Sequence, residues 1–131
     1  RQIHCNDNLI GFLTQAGSWG TYCDDSGNWT AVGNVTAYSD ERLKFNWAGL
    51  DSNFVERLSQ VKSGSFDRTD YHKRQVGVSA QSLQQLMPEA VMEDKDGILS
   101  VSYGNAALAA CVELAKEVVE LKKRIAMLES K

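Results

Sequence analysis

The sequence predicts an α+β fold in three consecutive zones, each marked by a different residue pattern. Residues 1 to 38 combine Gly, Asn, Thr and Ser with short apolar runs, which is typical of strands and turns. Residues 39 to 103 mix helical and strand-like segments, and residues 105 to 130 carry one continuous heptad pattern. With 131 residues and 43% hydrophobic content, the chain has the size of about one ordinary domain.

The first zone predicts short strands joined by turns. The apolar runs 10–13 and 19–22 are followed by the turn sequence Asp-Asp-Ser-Gly-Asn at 24–28 and by a further strand at 29–35 that Gly33-Asn34 interrupts. Strands this short bury little surface alone, so we interpret the zone as a piece of a larger β structure. A β structure that several chains share is one form that this could take. The zone is almost uncharged, and its charged residues are Arg1, Asp7, Asp24 and Asp25.

The middle zone predicts two helices, a hairpin and a last strand. In order, the predicted elements are a helix from Asp51 or Ser52 to about Lys62 ended by Gly64, strands at 66–71 and 75–79, a helix at 81–86, a turn at 94–97 and a strand at 98–102. The first helix has one apolar face, formed by Phe54, Val55, Leu58 and Val61. The second must end before Pro88, because proline disfavours helical geometry in the residue before it.

The last zone predicts one helix with a heptad face. Its a and d positions are Cys111, Leu114, Val118, Leu121, Ile125 and Leu128. In a parallel coiled coil each g residue faces the following e residue of its partner, and here both such pairs join opposite charges: Glu117 with Lys122, and Arg124 with Glu129. The pattern favours parallel self-association, with an amphipathic helix packed on its own domain as the alternative. β-Branched residues at a with Leu at d are typical of two strands, so the heptads alone do not specify a trimer.

Composition argues against several classes of function. The 14 Lys and Arg residues against 17 Asp and Glu leave a net charge of −3, without a basic run that would indicate nucleic-acid binding. No apolar stretch approaches the ~20 residues that span a membrane. The cysteines, Cys5, Cys23 and Cys111, are too far apart for a zinc site or a disulfide framework, so we expect free thiols. No metal or cofactor is predicted.

The candidate catalytic pair is Ser39 with Lys44. A neutral lysine amine can take the proton of a serine hydroxyl, but Lys44 must first lose much of its affinity for a proton, through burial or nearby cations such as Arg42. Five residues rotate by ~140° on a helix and reverse faces on a strand. The pair therefore needs a turn at Ser39 or a lysine from another chain. The alternative is that Ser39 caps a helix whose first turn holds two acidic residues.

Several segments, taken together and in their order along the chain, resemble the chaperone-of-endosialidase family. These are the self-cleaving intramolecular chaperones at the C-terminus of phage tail spikes and fibres. The segments are Ser39-Asp40-Glu41-Arg42-Leu43-Lys44, then Gly77-Val78-Ser79-Ala80-Gln81 leading to Pro88-Glu89-Ala90-Val91, then Val101-Ser102-Tyr103. The resemblance covers about residues 39 to 128. One departure is Ser82, where the family usually carries Glu, and this affects any role of that acid but not the Ser–Lys pair.

The resemblance implies a division of the chain and an assembly. Residues 1–38 correspond to the end of a β-structured fibre or spike shaft, and residues 39–131 to the chaperone and autoprocessing domain. The expected fold is thus a short β-rich shaft end, a mixed helix and hairpin domain, and a C-terminal helix at about 105–130 in a parallel trimeric coiled coil. The expected partners are two further copies of the chain and the upstream β-helical shaft of the same polypeptide. Neither nucleic acid nor a membrane is an expected partner.

The resemblance also implies a chemistry. The family's nucleophilic serine falls on Ser39 and its lysine on Lys44, which makes the domain a single-turnover serine endopeptidase without a cofactor. The expected cut separates Tyr38 from Ser39, with the Ser39–Asp40 bond less favoured. A virion tail precursor would assemble in the host bacterial cytoplasm and release the chaperone part after the cut.

Alternatives stay open at this point. The chain begins with Arg1 rather than Met and without a signal-like start, so we expect it to be the end of a longer polypeptide. A permanently attached trimerisation module would share the coiled coil but not the cut. A glycan-binding fibre tip is favoured by Trp19, Trp29 and Trp47, although scattered tryptophans are more typical of packing. Whether Ser39 and Lys44 act within one chain or between chains also stays open.

Overall fold

The computed structural model describes residues 1 to 131 and divides them into two compact units, Arg1–Trp47 and Ala48–Lys131. Small antiparallel sheets occupy both units, and one long helix ends the second, so the predicted α+β class is confirmed. The predicted domain boundary between residues 38 and 39 marks the expected cleavage point and not the division into compact units, and it stays a prediction. None of the helices combines the length and the apolar character that crossing a membrane requires.

The first unit is built on a four-stranded antiparallel sheet. Its strands are β1 (Gln2–Cys5), β2 (Leu9–Leu13), β3 (Trp19–Asp24) and β4 (Trp29–Ala31), paired in chain order. The predicted strands at 10–13 and 19–22 are confirmed. Strand β1 was not predicted from the sequence. The predicted strand at 29–35 is too long. Ala31 already pairs with Thr21, near the start of β3, so little partner strand remains beyond it.

The turn between β3 and β4 is held by one side chain. Asp24 Oδ1 accepts hydrogen bonds from the backbone N–H groups of Ser26 and Asn28, both at 2.9 Å. Gly27 has φ of 81°, a left-handed conformation that glycine adopts without steric cost. The carboxylate thus satisfies the turn's free donors, and the predicted turn at 24–28 is confirmed.

Gly11 allows β2 and β3 to approach each other, and its substitution is expected to open the sheet. A Cβ atom at this buried position would lie 2.1 Å from the carbonyl oxygen of Thr21 and 2.6 Å from Tyr22 Cα. Because both are backbone atoms, the strands must separate to make room. We expect Gly11→Ala to destabilise the sheet by about 3 kcal/mol, measured by urea unfolding followed through tryptophan fluorescence. The control is Gly33→Ala, where the added Cβ meets nothing within 4 Å. Equal stability of the two variants would contradict this packing.

The second unit contains three helices and two hairpins. Its elements are α1 (Phe54–Leu58), β5 (Ser63–Phe66), β6 (Gln75–Val78), α2 (Ala80–Gln84), β7 (Val91–Glu93), β8 (Leu99–Val101) and α3 (Tyr103–Glu129), with a 3₁₀ turn at Pro88–Ala90. Strand β5 pairs with β6 and β7 with β8, both antiparallel. The predicted C-terminal helix and the turn at 94–97 before the last strand are confirmed.

A small apolar core holds this unit together. Its buried members are Phe54, Leu83, Leu86, Met87, Ala90 and Ala106. The core takes in only the beginning of α3, where Ala106 is buried and Ala109 and Ala110 pack against the cluster. Every residue from Leu114 to Lys131 is exposed. The second half of α3 therefore has no apolar partner within its own chain.

The first predicted helix is shorter than expected. It ends at Leu58, and Gln60 and Val61 continue in tighter turns whose backbone N–H groups bond three residues back. The predicted end at Lys62 was wrong because the chain must straighten there to pair as β5. Gly64, expected to terminate the helix, lies inside that strand opposite Gly77.

The predicted strand at 66–71 is also wrong, since only Phe66 lies in a strand. The following loop is charged and contains two ion pairs between its own residues. These are Arg68 with Asp70 at 2.6 Å and Arg74 with Asp67 at 2.8 Å. By contrast, the predicted strand at 75–79 and helix at 81–86 correspond closely to β6 and α2. Ser79 caps α2, with its side-chain oxygen accepting from the N–H of Ser82.

Candidate functional site

Ser39 and Lys44 are brought into direct contact within one chain. Lys44 Nζ donates a hydrogen bond to Ser39 Oγ at 2.6 Å. Between them the chain makes a 3₁₀ turn, Glu41–Leu43, and Lys44 ends it with extended backbone and an N–H bonded to the carbonyl of Glu41. Neither a regular helix nor a strand would give this contact, so the turn supplies the geometry that the spacing requires.

Asp40, and not Ser39, caps this turn. Its Oδ1 accepts from the backbone N–H of Arg42 at 2.9 Å, and its Oδ2 accepts from the guanidinium of the same residue at 2.7 Å. The side-chain hydrogen bond from Arg42, followed by the backbone bond, holds the pKa of Asp40 below its usual value. The interpretation of Ser39 as a helix cap is therefore wrong, because the acid beside it takes that role. The serine hydroxyl is left to accept from Lys44.

The same ion pair changes the expected role of Arg42. The sequence suggested Arg42 as a cation that would make Lys44 release its proton more readily. The guanidinium instead forms a two-point contact with Asp40, in which Nε and Nη2 both reach the carboxylate. Its positive charge is compensated there, so this mechanism is not supported by the contacts.

Trp47 is a member of the site that sequence reasoning missed. Lys44 Nζ lies 5.6 Å from the centroid of the Trp47 ring, within the range of a cation–π contact. Ser39, Glu41, Lys44 and Trp47 together line an open cavity of about 420 Å³. The sequence offers one signal, an aromatic residue three positions after the lysine, but it suggested only glycan binding or packing as roles for Trp47. Of the other tryptophans, Trp19 packs edge-on against His4 and Tyr22.

The bond expected to be cut is accessible. Tyr38 has no regular secondary structure, and its side chain is 98% exposed. Ser39 and Lys44 are exposed as well. The arrangement therefore offers a hydroxyl, an amine in hydrogen-bond contact with it, and an adjacent backbone carbonyl, which are the groups that an acyl shift uses. Proton transfer needs the opposite polarity of the hydrogen bond, with the hydroxyl donating to a neutral amine.

The predicted coiled-coil residues share one face of α3. All six are exposed: Cys111, Leu114, Val118, Leu121, Ile125 and Leu128. The adjacent valines Val112 and Val119 are exposed too, which widens the apolar face. The alternative of an amphipathic helix packed on its own domain applies to the beginning of α3 but not to this stretch.

The cap at Asp40 gives a testable prediction. We expect Asp40→Ala to slow any reaction of Ser39 roughly fivefold, because the turn that holds Lys44 beside it loses its cap. Asp40→Asn should retain most of the rate, since asparagine also caps. Because the pKa of Asp40 is lowered in the folded chain, its contribution is complete above the ordinary aspartate pKa and is lost as the pH falls through the lowered pKa of the folded chain. A single-turnover rate measurement at neutral pH checks the variants, and equal rates for Asp40→Ala and wild type would contradict the capping role.

The structure thus carries a Ser–Lys pair near the end of the first unit, followed in the chain by a small α+β unit that ends in a long exposed helix. Residues 39–92 match the profile of the family described as chaperone of endosialidase, a family that is named as a peptidase. This family match covers 54 of the 131 residues and begins at Ser39 itself. The proposed family resemblance is thus confirmed.

Curated relatives point in the same direction. The chain is 32% identical over 113 residues to the long tail fiber protein Gp37 of Enterobacteria phage Ox2, covering 77% of this chain and 44% of that protein. It is 33% identical over 101 residues to Gp37 of Enterobacteria phage M1, covering 68% of this chain and 40% of the relative. For Gp37 of Enterobacteria phage T2 the identity is 35% over 107 residues, covering 75% of this chain but 8% of the relative. The chain therefore spans less than half the length of these relatives.

Proposed function

We propose that the chain is the C-terminal intramolecular chaperone of a phage tail fibre or tail spike, which trimerises, directs folding of an upstream β-helical shaft and then cuts itself off at Ser39. The observation that carries the proposal is the 2.6 Å contact between Lys44 Nζ and Ser39 Oγ, at the first residue of the segment that matches the family. The tail fibre relatives support an assembly role in a virion component made in the host.

The first chemical step is an N-to-O acyl shift. Ser39 Oγ attacks the carbonyl carbon of Tyr38 while neutral Lys44 Nζ takes the hydroxyl proton, so an O–H bond breaks as an N–H bond and a C–O bond form. The carbonyl oxygen carries the resulting negative charge. When the C–N bond to Ser39 breaks, the Lys44 ammonium returns its proton to the leaving amine. Because attacking and attacked groups belong to adjacent residues, no association entropy is lost.

The second step is hydrolysis of the ester. Water adds to the Tyr38 acyl carbon, the C–O bond to Ser39 breaks, and the products are a Tyr38 carboxylate and a free Ser39 with its hydroxyl and amine. This hydrolysis is irreversible, and the two pieces are no longer covalently joined. The reaction therefore runs once per chain, which agrees with a processing event rather than with turnover of a substrate.

We infer that the cut follows assembly. In one chain the cavity around Lys44 is open, and water solvates an ammonium well. Enclosure by neighbouring copies removes that solvation and favours the neutral amine that proton transfer needs. The hypothesis would be undermined by monomeric or unfolded protein that cleaves as fast as the assembled form.

The trimer is supported by the exposed heptad face of α3 and by the opposite charges at its g and e positions. Bringing three C-termini into register lowers the entropy cost of pairing strands from different chains. Removal of the chaperone afterwards makes unfolding of the shaft hard to reverse, so the mature fibre is stabilised kinetically. The expectation of three chains rests on the family resemblance, because the heptad pattern alone does not specify a trimer.

Intact mass spectrometry of the freshly expressed 131-residue chain tests the proposal. We expect two pieces that meet between Tyr38 and Ser39, and the piece 39–131 to sediment as a trimer. A cut after Ser39 would move the scissile bond by one residue and contradict the proposed attack on Tyr38. An uncut trimer would favour a permanently attached trimerisation module.

A further inference from the structure

Lys44 has a second contact besides Ser39. Its Nζ lies 5.6 Å from the Trp47 ring centroid and 2.6 Å from Ser39 Oγ, so the end of this long side chain is held by two groups. An exposed lysine otherwise samples many rotamers, and each of its four side-chain torsions carries the amine away from the hydroxyl. The indole thus restricts the one group that has to stay within reach of Ser39.

The backbone brings Trp47 to this position by an unusual conformation at Asn46. Asn46 has φ of 55° and is the only residue other than glycine with a positive φ. Lys44 is extended, and in a continued strand residues 44 and 47 would lie on opposite faces. The left-handed residue between them bends the chain, and asparagine tolerates that conformation better than most residues.

Core packing does not explain the placement of Trp47. The side chain is 71% exposed, and the groups that share its cavity are polar: Ser39, Glu41 and Lys44. A large aromatic residue that stays in solvent while contacting an amine contributes little to the stability of its own unit. Its position is accounted for by the amine that it contacts.

We propose that Trp47 is a positioning residue for Lys44 in the self-cleavage at Ser39, an inference that rests on the proposed function. The indole face keeps Nζ beside Oγ before the reaction. When Nζ takes the hydroxyl proton, the positive charge that forms there lies over the negative face of the ring, which attracts a cation more strongly than a neutral amine. Trp47 touches neither Tyr38 nor the hydroxyl and acts through Lys44 alone.

The first test compares single-turnover cleavage rates of the 131-residue chain. Trp47→Leu is expected to slow the cut roughly two- to thirtyfold, because it retains an apolar side chain but removes the ring. Trp47→Phe, which restores a ring face, should stay within about threefold of wild type. Asn46→Val should slow the cut as Trp47→Leu does, since a β-branched residue resists positive φ, whereas Asn46→Gly should not. Should Trp47→Leu fail to fold, the Asn46 pair carries the comparison.

The second test does not depend on cleavage. In the uncut Ser39→Ala background, the Lys44 Hε protons should show an upfield ring-current shift in NMR spectra. The shift should persist with Trp47→Phe and Asn46→Gly and be lost with Trp47→Leu and Asn46→Val. An unchanged cleavage rate in folded Trp47→Leu, with wild type cleaving, would overturn this inference alone. If wild type does not cleave, the proposed function fails, and the NMR shift still decides whether Trp47 positions Lys44.

Discussion

Ser39→Ala is expected to abolish the cut and leave the chain folded and trimeric. The substitution removes the attacking oxygen, and a missing nucleophile costs on the order of 10⁴-fold or more in rate when no other group replaces it. Folding should survive because Ser39 is exposed and the turn is capped by Asp40. Intact mass spectra taken over time after refolding measure the loss, and sedimentation measures the assembly.

The partner substitution at Lys44 separates its charge from its basicity. Lys44→Ala removes the amine, whereas Lys44→Arg retains a cation that stays protonated at any accessible pH. Both are expected to block or strongly slow the cut if Lys44 is the base. Lys73→Ala, an exposed lysine in the loop after β5, is the matched control and should cleave at the wild-type rate. Wild-type cleavage by Lys44→Arg would exclude the proton-accepting role, even with Ser39→Ala inactive.

Leu121→Asp is expected to prevent assembly and, through it, the cut. Leu121 occupies a d position and is exposed in the single chain, so the substitution leaves the core around Phe54 untouched. In a coiled coil the same position is enclosed by the partner helices, where an unpaired carboxylate costs several kcal/mol per chain. The monomer should thus keep its secondary structure by circular dichroism while losing the trimer in sedimentation experiments.

Met127→Asp is the control for this prediction. It places the same charge on the same helix, but at a c position outside the heptad face, where Met127 is exposed. We expect it to trimerise and cleave like wild type. A trimer formed by Leu121→Asp would show that the copies associate through another surface. A monomeric Leu121→Asp that still cleaves at the wild-type rate would separate the cut from assembly.

The parts of the fold that follow from local pattern were predictable from the sequence. The heptad spacing predicts α3, and the turn residues at 24–28 predict the β3–β4 connection, because in both cases neighbours along the chain determine the structure. The first strand of the β5–β6 hairpin was predicted at the wrong residues. Strand β5 begins at Ser63, directly after the predicted helix and three residues before the predicted strand, because its position is determined by pairing with β6. In the loop after it, the ion pair of Arg74 with Asp67 also joins groups seven residues apart.

The candidate site shows the same division. Ser39 and Lys44 were identified as residues, but spacing alone could not say that they meet in one chain, because the contact depends on a 3₁₀ turn capped by Asp40. Trp47 was missed as a member of the site for a related reason. Its approach to Lys44 depends on one left-handed residue, Asn46, and asparagine only permits that conformation without requiring it.

The capping of the turn by Asp40 separates two properties that a single serine would otherwise join. If Ser39 held the turn together, every change that removed its hydroxyl would also weaken the local fold. With the cap supplied by the neighbouring acid, the hydroxyl does not hold the turn, and its loss is expected to leave folding intact. Under the proposed function, one codon change at Ser39 would convert a self-releasing chaperone into a permanently attached trimerisation module. The two forms would then be single-step evolutionary neighbours, and selection could act on release without acting on assembly.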